Sequence, residues 1–424
     1  MTAQTEKRRR VAVIGAGIVG ACTALEMARA GFNVTVIDAS QPGGEQAASY
    51  GNGAFISPAS IIPMSVPGLW RKVPAYLLDK AGPLTINWTS LPRLAPWLVR
   101  FLRAGWTEER LRRTVSSLDS LLHDGPDRHL ALAQTVGAPS LIQRNGILYA
   151  YPNRAAYLSE APFWALRRQA GLQWRELDAE ALHAEEPALA PCYSFGVLVE
   201  SGAQCLDPGA YVRAILAASG ATMKQARVTG LAHEARSVIA VETEFGPVPT
   251  DIAVLTAGMG SAKIARTIGD NIPLEAERGY HVELPDPPIR LRRPVMPSDG
   301  KMANTMTAGG LRAAGQVELS SADAAPDWRR ADILLQHLTR TYPALASVDQ
   351  GKARRWQGNR PSTPDGLPVI GAASLSGLWY GFGHGHLGLN AAPHTAALLA
   401  DLVLGRPTGI DIAPFSHKRF ARAG

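Results

Sequence analysis

The first forty residues constrain the fold of this chain more than any other segment. An apolar, partly β-branched run at residues 11–14 leads into the sequence GAGIVG at residues 15–20, and a helical pattern follows as far as Arg29. A second apolar run at residues 33–37 ends in Asp38. A strand, a glycine-rich turn, a helix and a second strand within about 30 residues have the length of a right-handed βαβ crossover. The pattern predicts a parallel sheet with a dinucleotide bound at the turn.

Each glycine of this turn has a physical task in such a site. Gly15 allows the tight turn, Gly17 lets the backbone approach a pyrophosphate, and Gly20 lets the helix pack closely on the strand. The phosphate would accept hydrogen bonds from N–H groups at the helix start. Asp38, 21 positions after Gly17, is placed to accept a hydrogen bond from a ribose hydroxyl. Because an acid here repels a 2′-phosphate, NADP is disfavoured.

Two further glycine-rich segments favour FAD over NAD. The sequence AASYGNG at residues 47–53 suits contact with pyrophosphate and flavin, and GFGHGHLG at residues 381–388 precedes a helix predicted at residues 391–404. Glycines in the late segment allow the backbone to lie against a flat ring, and the following helix N-terminus would stabilise negative charge on a reduced flavin. An NAD-dependent dehydrogenase stays open as an alternative, but it would leave these two segments unexplained.

Composition excludes several classes of protein. Hydrophobic residues make up 46% and charged residues 19%, and 41 glycines and 31 prolines indicate a mixed α/β chain with many turns. Net charge is +7, yet the only dense basic run is residues 7–10, which we interpret as a solvated tail and not as a nucleic-acid arm. We expect no nucleic-acid partner.

The cysteines and the apolar runs predict the compartment. Cys22, Cys192 and Cys205 are an odd number without metal-ligand spacing, so we expect neither a metal site nor a disulfide scaffold. No apolar run of roughly 18 residues is evident, which predicts no membrane span. We therefore expect a cytoplasmic protein.

The rest of the chain alternates between helical and extended patterns. Residues 60–190 are predicted to be mainly helical, with an isolated strand at 146–151. Beyond them, strands are predicted at 194–200, 228–233, 238–243, 251–257 and between 275 and 320, and helices at 211–219 and 327–342.

Later motifs carry a resemblance to a known family. The sequence LTAG stands at residues 255–258, WQGNRP at 356–361 and TPDGLPVIG at 363–371. Together with the three glycine-rich segments, they resemble the D-amino-acid oxidase superfamily, and most closely its bacterial D-amino-acid dehydrogenase and glycine oxidase branch. The likeness covers nearly the whole chain.

The resemblance implies an α/β fold with two domains that are discontinuous in sequence. The first is a Rossmann-like FAD-binding domain, and the second is an α+β substrate domain built on an antiparallel sheet that covers the flavin. The predicted FAD-binding domain comprises residues 1–60, 190–265 and 352–424, and the predicted substrate-binding domain comprises residues 61–189 and 266–351.

The resemblance also implies FAD that is bound without a covalent link. Gly358 stands where some relatives carry the cysteine that attaches the flavin, and no cysteine follows Cys205. The residues implied to bind FAD are Gly15, Gly17, Ile18, Val19, Gly20, Asp38, Ala39, Ala48, Ser49, Asn52, Gly53, Val228, Ala257, Gly258, Gly358, Gly385, His386, Leu387 and Gly388.

Three residues are implied to act on the substrate. Arg360 stands where the family's arginine grips the substrate carboxylate, and a planar guanidinium suits that contact. Where glycine oxidase carries an aromatic residue, this sequence has residues 302–304, MAN, so Tyr280 is the substitute candidate. His386, next to His384 in the late glycine segment, would line the flavin. The alternatives stay open: an ordinary ion pair for Arg360, strand packing for Tyr280 and structural hydrogen bonds for the histidines.

The implied reaction is oxidation of an amino acid by hydride transfer from Cα to flavin N5, which gives an imine that hydrolyses to a keto acid or stays cyclic. The implied substrate is a D-amino acid, with D-proline or hydroxy-D-proline suggested by the GHGHLGL ending. A dehydrogenase is favoured over an oxidase, and the acceptor is left open among a quinone, a dye and O2. A flavoprotein subunit of a hetero-oligomeric dehydrogenase, a homo-oligomer and peripheral association with the inner membrane face also stay open.

Overall fold

The computed structural model describes residues 8–71, 82 and 84–421. Lys7, the first residue of the basic run, lies outside them. The helices are α1 Ile18–Arg29, α2 Leu91–Ala104, α3 Glu108–Leu122, α4 Gly125–Thr135, α5 Arg154–Ser159, α6 Ala161–Gln169, α7 Ala179–Glu185, α8 Pro208–Ser219, α9 Ser261–Thr267, α10 Arg329–Thr341 and α11 Gly388–Leu404.

The strands divide among four sheets. They are β1 Arg10–Ile14, β2 Asn33–Asp38, β3 Phe55–Ile56, β4 Leu84–Ile86, β5 Ile142–Gln143, β6 Ile147–Tyr151, β7 Arg175–Leu177, β8 Phe195–Val199, β9 Ala203–Cys205, β10 Thr222–Gln225, β11 Val228–Glu234, β12 Ser237–Thr243, β13 Gly246–Pro249, β14 Ile252–Leu255, β15 Glu275–Leu284, β16 Val295–Pro297, β17 Ala303–Thr307, β18 Gly310–Leu319, β19 Arg354–Ser362, β20 Val369–Ala372 and β21 Leu378–Phe382. Two small sheets have the orders β11-β12-β13 and β3-β9-β5.

A six-stranded sheet carries the predicted βαβ unit. Its order is β10-β2-β1-β14-β21-β20, and every neighbouring pair is parallel except β20 with β21. β1 and β14 are buried almost throughout, as expected for strands that are covered on both faces. The chain runs from β1 through α1 to β2, so the predicted crossover is confirmed.

The second large sheet has nine strands and is mainly antiparallel. Its main path is β19-β15-β18-β17-β16-β6-β8-β7, with β4 beside β18, and only the pairs β16–β6 and β18–β4 are parallel. The strand predicted to be isolated at residues 146–151 was wrongly interpreted, because β6 pairs with both β8 and β16. Its partners come from distant parts of the chain, so local pattern could not reveal them.

The division into two domains stays a prediction, but the pairing of two strands bears on its boundaries. β8 and β19 lie in segments assigned to the FAD-binding domain, yet both are hydrogen-bonded into the nine-stranded sheet. β19 pairs with β15 over nine residue pairs, from Glu275 with Ser362 to Glu283 with Arg354. We propose that the boundaries lie after β8 and after β19.

Helix ends follow the expected chemistry. Asp207 caps α8, because its carboxylate accepts from the Ala210 N–H at 2.8 Å. α11 begins at Gly388, three residues earlier than predicted, since the short turn Gly385–Leu387 continues directly into it.

The segment Gly385–Leu404 corrects the prediction that no run is long and apolar enough to span a membrane. It is 20 residues long with a mean hydropathy of 1.3, which passes that test among the described residues. The segment is mostly enclosed by protein, with 61% of it buried. α11 packs against α1 and α4, so its apolar character is that of a core helix.

Candidate functional site

A cavity of about 1140 Å³ lies between the parallel sheet and the nine-stranded sheet. Its lining includes the ends of β1, β14 and β21 and residues of β15, β18 and β19. Pockets for drug-sized ligands usually measure about 300–1,000 Å³, so this cavity has room for a larger molecule such as a dinucleotide together with a small substrate.

The glycine turn after β1 forms one end of the cavity. Gly15 has φ 105°, and a Cβ there would lie 2.7 Å from the Cα of Ala257. A Cβ on Gly20 would overlap the carbonyl oxygen of Gly15. The positive φ of Gly15 fits the predicted tight turn, and Gly20 allows the predicted close packing of helix on strand.

Gly17 differs because its missing side chain faces the cavity. A Cβ there would meet nothing nearer than the hydroxyl oxygen of Ser49, at 3.8 Å. Gly17 is also the N-cap of α1, and no side chain caps the first turn, so its N–H groups are available to a ligand. The Ser49 hydroxyl is buried without a hydrogen-bond partner. A cradle of free N–H groups beside an unpaired hydroxyl fits a phosphate.

Asp38 lies at the end of β2 and lines the cavity. One carboxylate oxygen accepts from the Ala16 N–H at 2.7 Å, and the other accepts from the Ser40 N–H at 2.9 Å. These bonds tie the acid to the glycine turn. Each carboxylate oxygen has a second lone pair, so a ribose hydroxyl remains a suitable partner.

The late glycine turn lies at another wall of the cavity. His384 is buried, and its Nε2 lies 3.0 Å from the hydroxyl of Thr395 on α11, which is a structural contact. His386 faces the cavity. Desolvation by the surrounding protein, together with the positive charge of Arg360, lowers the pKa of His386 to about 4. Both histidines are therefore neutral near neutral pH, because burial likewise lowers the pKa of His384 to about 3.

Arg360 projects from β19 into the cavity, and a β-bulge holds its guanidinium. Its Nη1 donates to the carbonyl of Gln316 at 2.9 Å, and its Nη2 donates to the carbonyl of Gly315 at 3.2 Å. The register of β18 against β15 shifts at this point, and Gln316 has φ 57°. The bulge turns both carbonyls toward the guanidinium. Three N–H donors of the guanidinium remain for a ligand.

Two residues of β15 near Arg360 were not predicted. A Cβ on Gly279 would overlap the Arg360 guanidinium, so glycine at 279 makes room for it. Glu277 lies directly across from Arg360 on the neighbouring strand, is only 3% exposed and lines the cavity. Burial raises the pKa of the Glu277 carboxyl, although Arg360 opposes that shift. Both residues lie on the same face of β15, because they are two positions apart, and this alternation is the sequence signal that could have identified them.

The structure does not place Tyr280 in the cavity. Its side chain is 1% exposed and packs on the opposite face of β15, next to Trp328 and the apolar side of α10. Its hydroxyl donates to Glu318 and accepts from the Asp327 N–H at 3.0 Å. Successive side chains of a strand point to opposite faces, so Tyr280, next to the Gly279 position that faces Arg360, points away from the cavity. Tyr280 therefore packs in the core beneath the strand, which was the alternative interpretation, and the prediction that it contacts the substrate is corrected.

The other predicted residues mostly come together. Two of them do not line the cavity: Gly20, where the helix packs on the strand, and Tyr280. The predicted residues that line the cavity are Gly15, Gly17, Ile18, Val19, Asp38, Ala39, Ala48, Ser49, Asn52, Gly53, Val228, Ala257, Gly258, Gly358, Arg360, Gly385, His386, Leu387 and Gly388.

Gly358 is covered by an aromatic side chain. A Cβ on Gly358 would overlap the indole of Trp356, and so would a Cβ on Gly51. The indole N–H donates to the carbonyl of Glu45 at 2.8 Å, which fixes it there. The cysteines are free, and none of them lines the cavity. Within the described ranges, no group of His, Cys, Asp and Glu has a metal-binding arrangement.

Comparison with known proteins decides the family. The profile of the DAO family, described as FAD dependent oxidoreductase, matches residues 10–402. The chain belongs to this family. A D-amino-acid oxidase of Bradyrhizobium diazoefficiens is 47% identical over 417 residues, which cover 97% of this chain and 99% of that protein. A D-amino acid dehydrogenase 2 of Ralstonia nicotianae is 32% identical over 435 residues, covering 97% and 100%.

Solved structures of other enzymes share the fold. Glycine oxidase from Bacillus cereus has a TM-score of 0.68 at 18% identity, covering 94% of this chain and 95% of its own. L-proline dehydrogenase from P. horikoshii has a TM-score of 0.72 at 18% identity, covering 98% of each chain. The expected α/β fold with a second antiparallel sheet is confirmed. FAD is the cofactor of this DAO protein, and the uncapped start of α1 and the unpaired Ser49 hydroxyl fit its diphosphate.

Proposed function

We propose that this protein is an FAD-dependent enzyme that oxidises D-amino acids and holds the substrate carboxylate on Arg360. The observation that carries the proposal is the guanidinium fixed by two backbone carbonyls, with donors left over, inside the cavity that the dinucleotide turn opens. The names of relatives at 47% and 32% identity, a D-amino-acid oxidase and a D-amino acid dehydrogenase, support D-amino acids as substrates.

The FAD would be held by the start of α1, by Asp38 and Ser49, and by the late glycine turn. Bound FAD supplies a two-electron acceptor for the reaction. We propose that the link is not covalent, because Trp356 fills the space beside Gly358 and the cysteines Cys22 and Cys205 are buried away from the cavity. Acid precipitation should therefore release the flavin into solution, and yellow colour that stays with the precipitate would refute this.

The protein's own part in the reaction is to bind, orient and desolvate the substrate. The guanidinium of Arg360 would grip both carboxylate oxygens and so fix the direction of the substrate Cα–H bond. His386 is neutral near neutral pH and lies beside that guanidinium, so it adds no second positive charge at the site. Enclosure between two sheets excludes water, which strengthens the contact with the carboxylate.

The stereochemistry and the electron acceptor can be tested in one screen. Purified protein is incubated with D- and L-amino acids, including D-proline and hydroxy-D-proline, once with a dye as acceptor and once with O2. We expect turnover of D-enantiomers and of the cyclic imino acids, with imine or keto acid as product. Turnover of L-enantiomers alone would contradict the proposal, and the ratio of the dye and O2 rates separates a dehydrogenase from an oxidase.

A further inference from the structure

An amino acid carries two opposite charges, and Arg360 accounts for one of them. The acidic residues among the described residues that line the cavity are Asp38, Glu45 and Glu277. Asp38 is committed to the glycine turn, and Glu45 is exposed. Glu277 is the acid that lies beside Arg360, across one strand pair.

Side chains that face each other across a strand pair have Cβ atoms about 4.5–5.5 Å apart. Glu277 and Arg360 therefore lie on the same face of the sheet, next to the same part of the cavity. Arg360 nevertheless donates to the carbonyls of Gly315 and Gln316, and no direct ion pair joins it to Glu277 in the part of the chain that the structure describes. The guanidinium and the carboxylate are therefore not paired with each other, so each can bind a group of opposite charge on one ligand.

Few groups around Glu277 other than Arg360 can balance the negative charge of its carboxylate. Ser362, two residues along β19, favours the ionised carboxyl of Glu277, but it lowers the pKa less than burial raises it. Glu277 also lines a small adjoining cavity together with His384, His386 and Asp365.

None of these three groups supplies a second positive charge. The histidines are neutral near neutral pH, because burial lowers the pKa of His384 to about 3, and desolvation by the cavity walls together with the charge of Arg360 lowers the pKa of His386 to about 4. Asp365 is paired with Arg419 at 2.7 Å. A buried carboxylate that forms no ion pair is costly to keep ionised, and a cationic ligand would relieve that cost.

We propose that Glu277 is the partner of Arg360 in substrate binding: its carboxylate binds the substrate's amino group and accepts a proton from it. This inference rests on the proposed function and names the group that prepares the amine. Burial raises the pKa of Glu277, which suits a carboxylate that must take a proton from an ammonium group.

The proton transfer balances without a further reagent. One N–H bond of the ammonium group breaks and one O–H bond forms on Glu277, while the electron pair stays on nitrogen. The carboxylate and the ammonium, with charges of opposite sign, become a neutral acid and a neutral amine. The lone pair can then form the C=N bond as the α-hydrogen leaves with its electrons to the oxidant of the family's activity, FAD. Glu277 returns its proton to solvent after the product leaves.

The first test compares Glu277→Gln with the wild type in the anaerobic reduction of the flavin by D-alanine and by D-proline across a pH series. At about pH 7 we expect the ratio of the flavin reduction rate constant to the substrate dissociation constant to fall at least tenfold in the variant. The loss should shrink as the pH approaches the pKa of the amine itself, because the substrate then arrives neutral. Glu277→Asp should restore part of the rate. A loss that is constant across the pH series would overturn the proposal.

The matched control is Glu275→Gln. It removes a carboxylate from the same strand, two residues away, where Glu275 forms an ion pair with Arg93 outside the cavity lining. We expect its pH profile to match that of the wild type. Equal changes in both variants would indicate a general effect on the sheet and would count against a role for Glu277 in the substrate site.

The second test measures binding through the perturbation of the flavin spectrum and needs no turnover. Propionate matches D-alanine without its amino group, and cyclopentanecarboxylate matches D-proline. Glu277→Gln should weaken the amino acids at least threefold and leave the plain carboxylates bound at least as tightly. Equal weakening of both classes would overturn the proposal. If the wild-type flavin is not reduced by any D-amino acid, the proposed function fails, and this comparison still decides the role of Glu277.

Discussion

At the scale of single residues, the site depends on one guanidinium and on what holds it. Arg360 is anchored by backbone carbonyls of the β18 bulge, which no side-chain substitution removes, and it lies over Gly279. Its position is therefore set by sheet geometry as well as by its own side chain. The position of the guanidinium matters because a bidentate contact with a carboxylate needs two parallel hydrogen bonds, and a small displacement of the guanidinium would break them.

Replacing Arg360 by Lys or Ala should raise KM for carboxylate substrates strongly. A bidentate, charge-assisted contact is worth on the order of 2–4 kcal/mol, and an ammonium group cannot reproduce its geometry. Steady-state kinetics with D-amino acids and with amines that lack a carboxylate give the comparison. Flavin content serves as the folding control, and unchanged KM for the amino acids would rule out the role.

Gly279→Ala should impair the same contact without touching Arg360 itself. The new methyl group would overlap the guanidinium and displace it, so we expect kcat/KM to fall about tenfold or more. The control is Gly230→Ala in β11, where an added Cβ meets nothing within 4 Å. Equal kinetics for the two variants would show that the position of the guanidinium is not critical.

At the scale of elements, the glycine turn and α1 combine two kinds of close approach. Gly15 and Gly20 allow protein to contact protein, whereas Gly17 leaves an open approach to the first N–H groups of α1. The sequence motif predicted the tight turn at Gly15 and the close packing at Gly20, since its spacing is tied to local geometry, and the approach of a pyrophosphate to Gly17 stays a prediction. The bulge that positions Arg360 was not predictable, because it arises where β15 and β18 pair over a distance that no local pattern records.

Gly17→Ala and Gly20→Ala should therefore fail in different ways. Gly17→Ala has room within the protein, so we expect an unchanged melting temperature of the flavin-free protein but an FAD dissociation constant raised about tenfold or more. Gly20→Ala overlaps the Gly15 carbonyl and should lower the free energy of unfolding by about 1–3 kcal/mol. Thermal melts and FAD titrations distinguish the two outcomes, and a stability loss in Gly17→Ala would contradict this division.

The face of β15 shows where reading the sequence was sufficient and where it was not. The motif around Arg360 identified a residue that lines the cavity, because the motif itself contains the residue. Tyr280 was chosen for its residue type, without the register of its strand, and it faces the core under α10. Glu277 and Gly279 could have been identified from the alternation of side chains along the same strand, once one of its faces was known.

At the scale of the whole molecule, α11 joins the site to the core. Its start follows the late glycine turn, and its length packs against α1 and α4. His129 of α4 is fully buried, its Nε2 donates to the carbonyl of Leu389 at 2.8 Å, and its Nδ1 lies 3.2 Å from the hydroxyl of Tyr211. One neutral imidazole thus bridges three helices.

This bridge predicts a loss of stability in acid. Burial lowers the pKa of His129 to about 4, whereas an unfolded histidine titrates near about 6.5. The unfolded state binds more protons between these values, so the stabilisation is present above about pH 6.5 and is lost as the pH falls toward about 4. Between about pH 7 and pH 5, His129 should account for a loss on the order of 2 kcal/mol.

Denaturant unfolding of the wild type and of His129→Gln at the two pH values measures how much of the loss of stability comes from His129. The glutamine amide can still donate to Leu389 but does not titrate, so the variant should lose less stability between the two pH values. His233→Gln, on an exposed strand, is the control. Identical pH dependence of the wild type and His129→Gln would show that the imidazole carries no such share.

We propose that the cavity between the two sheets holds FAD with its reactive part beside Arg360. The visible spectrum of the purified protein, recorded under anaerobic conditions before and after addition of a D-amino acid and, separately, of its L-enantiomer, tests this. We expect oxidised flavin bands that bleach with the D-enantiomer and persist with the L-enantiomer. A protein that is colourless and takes up no FAD on titration, or whose flavin bands no D-amino acid bleaches, would contradict it.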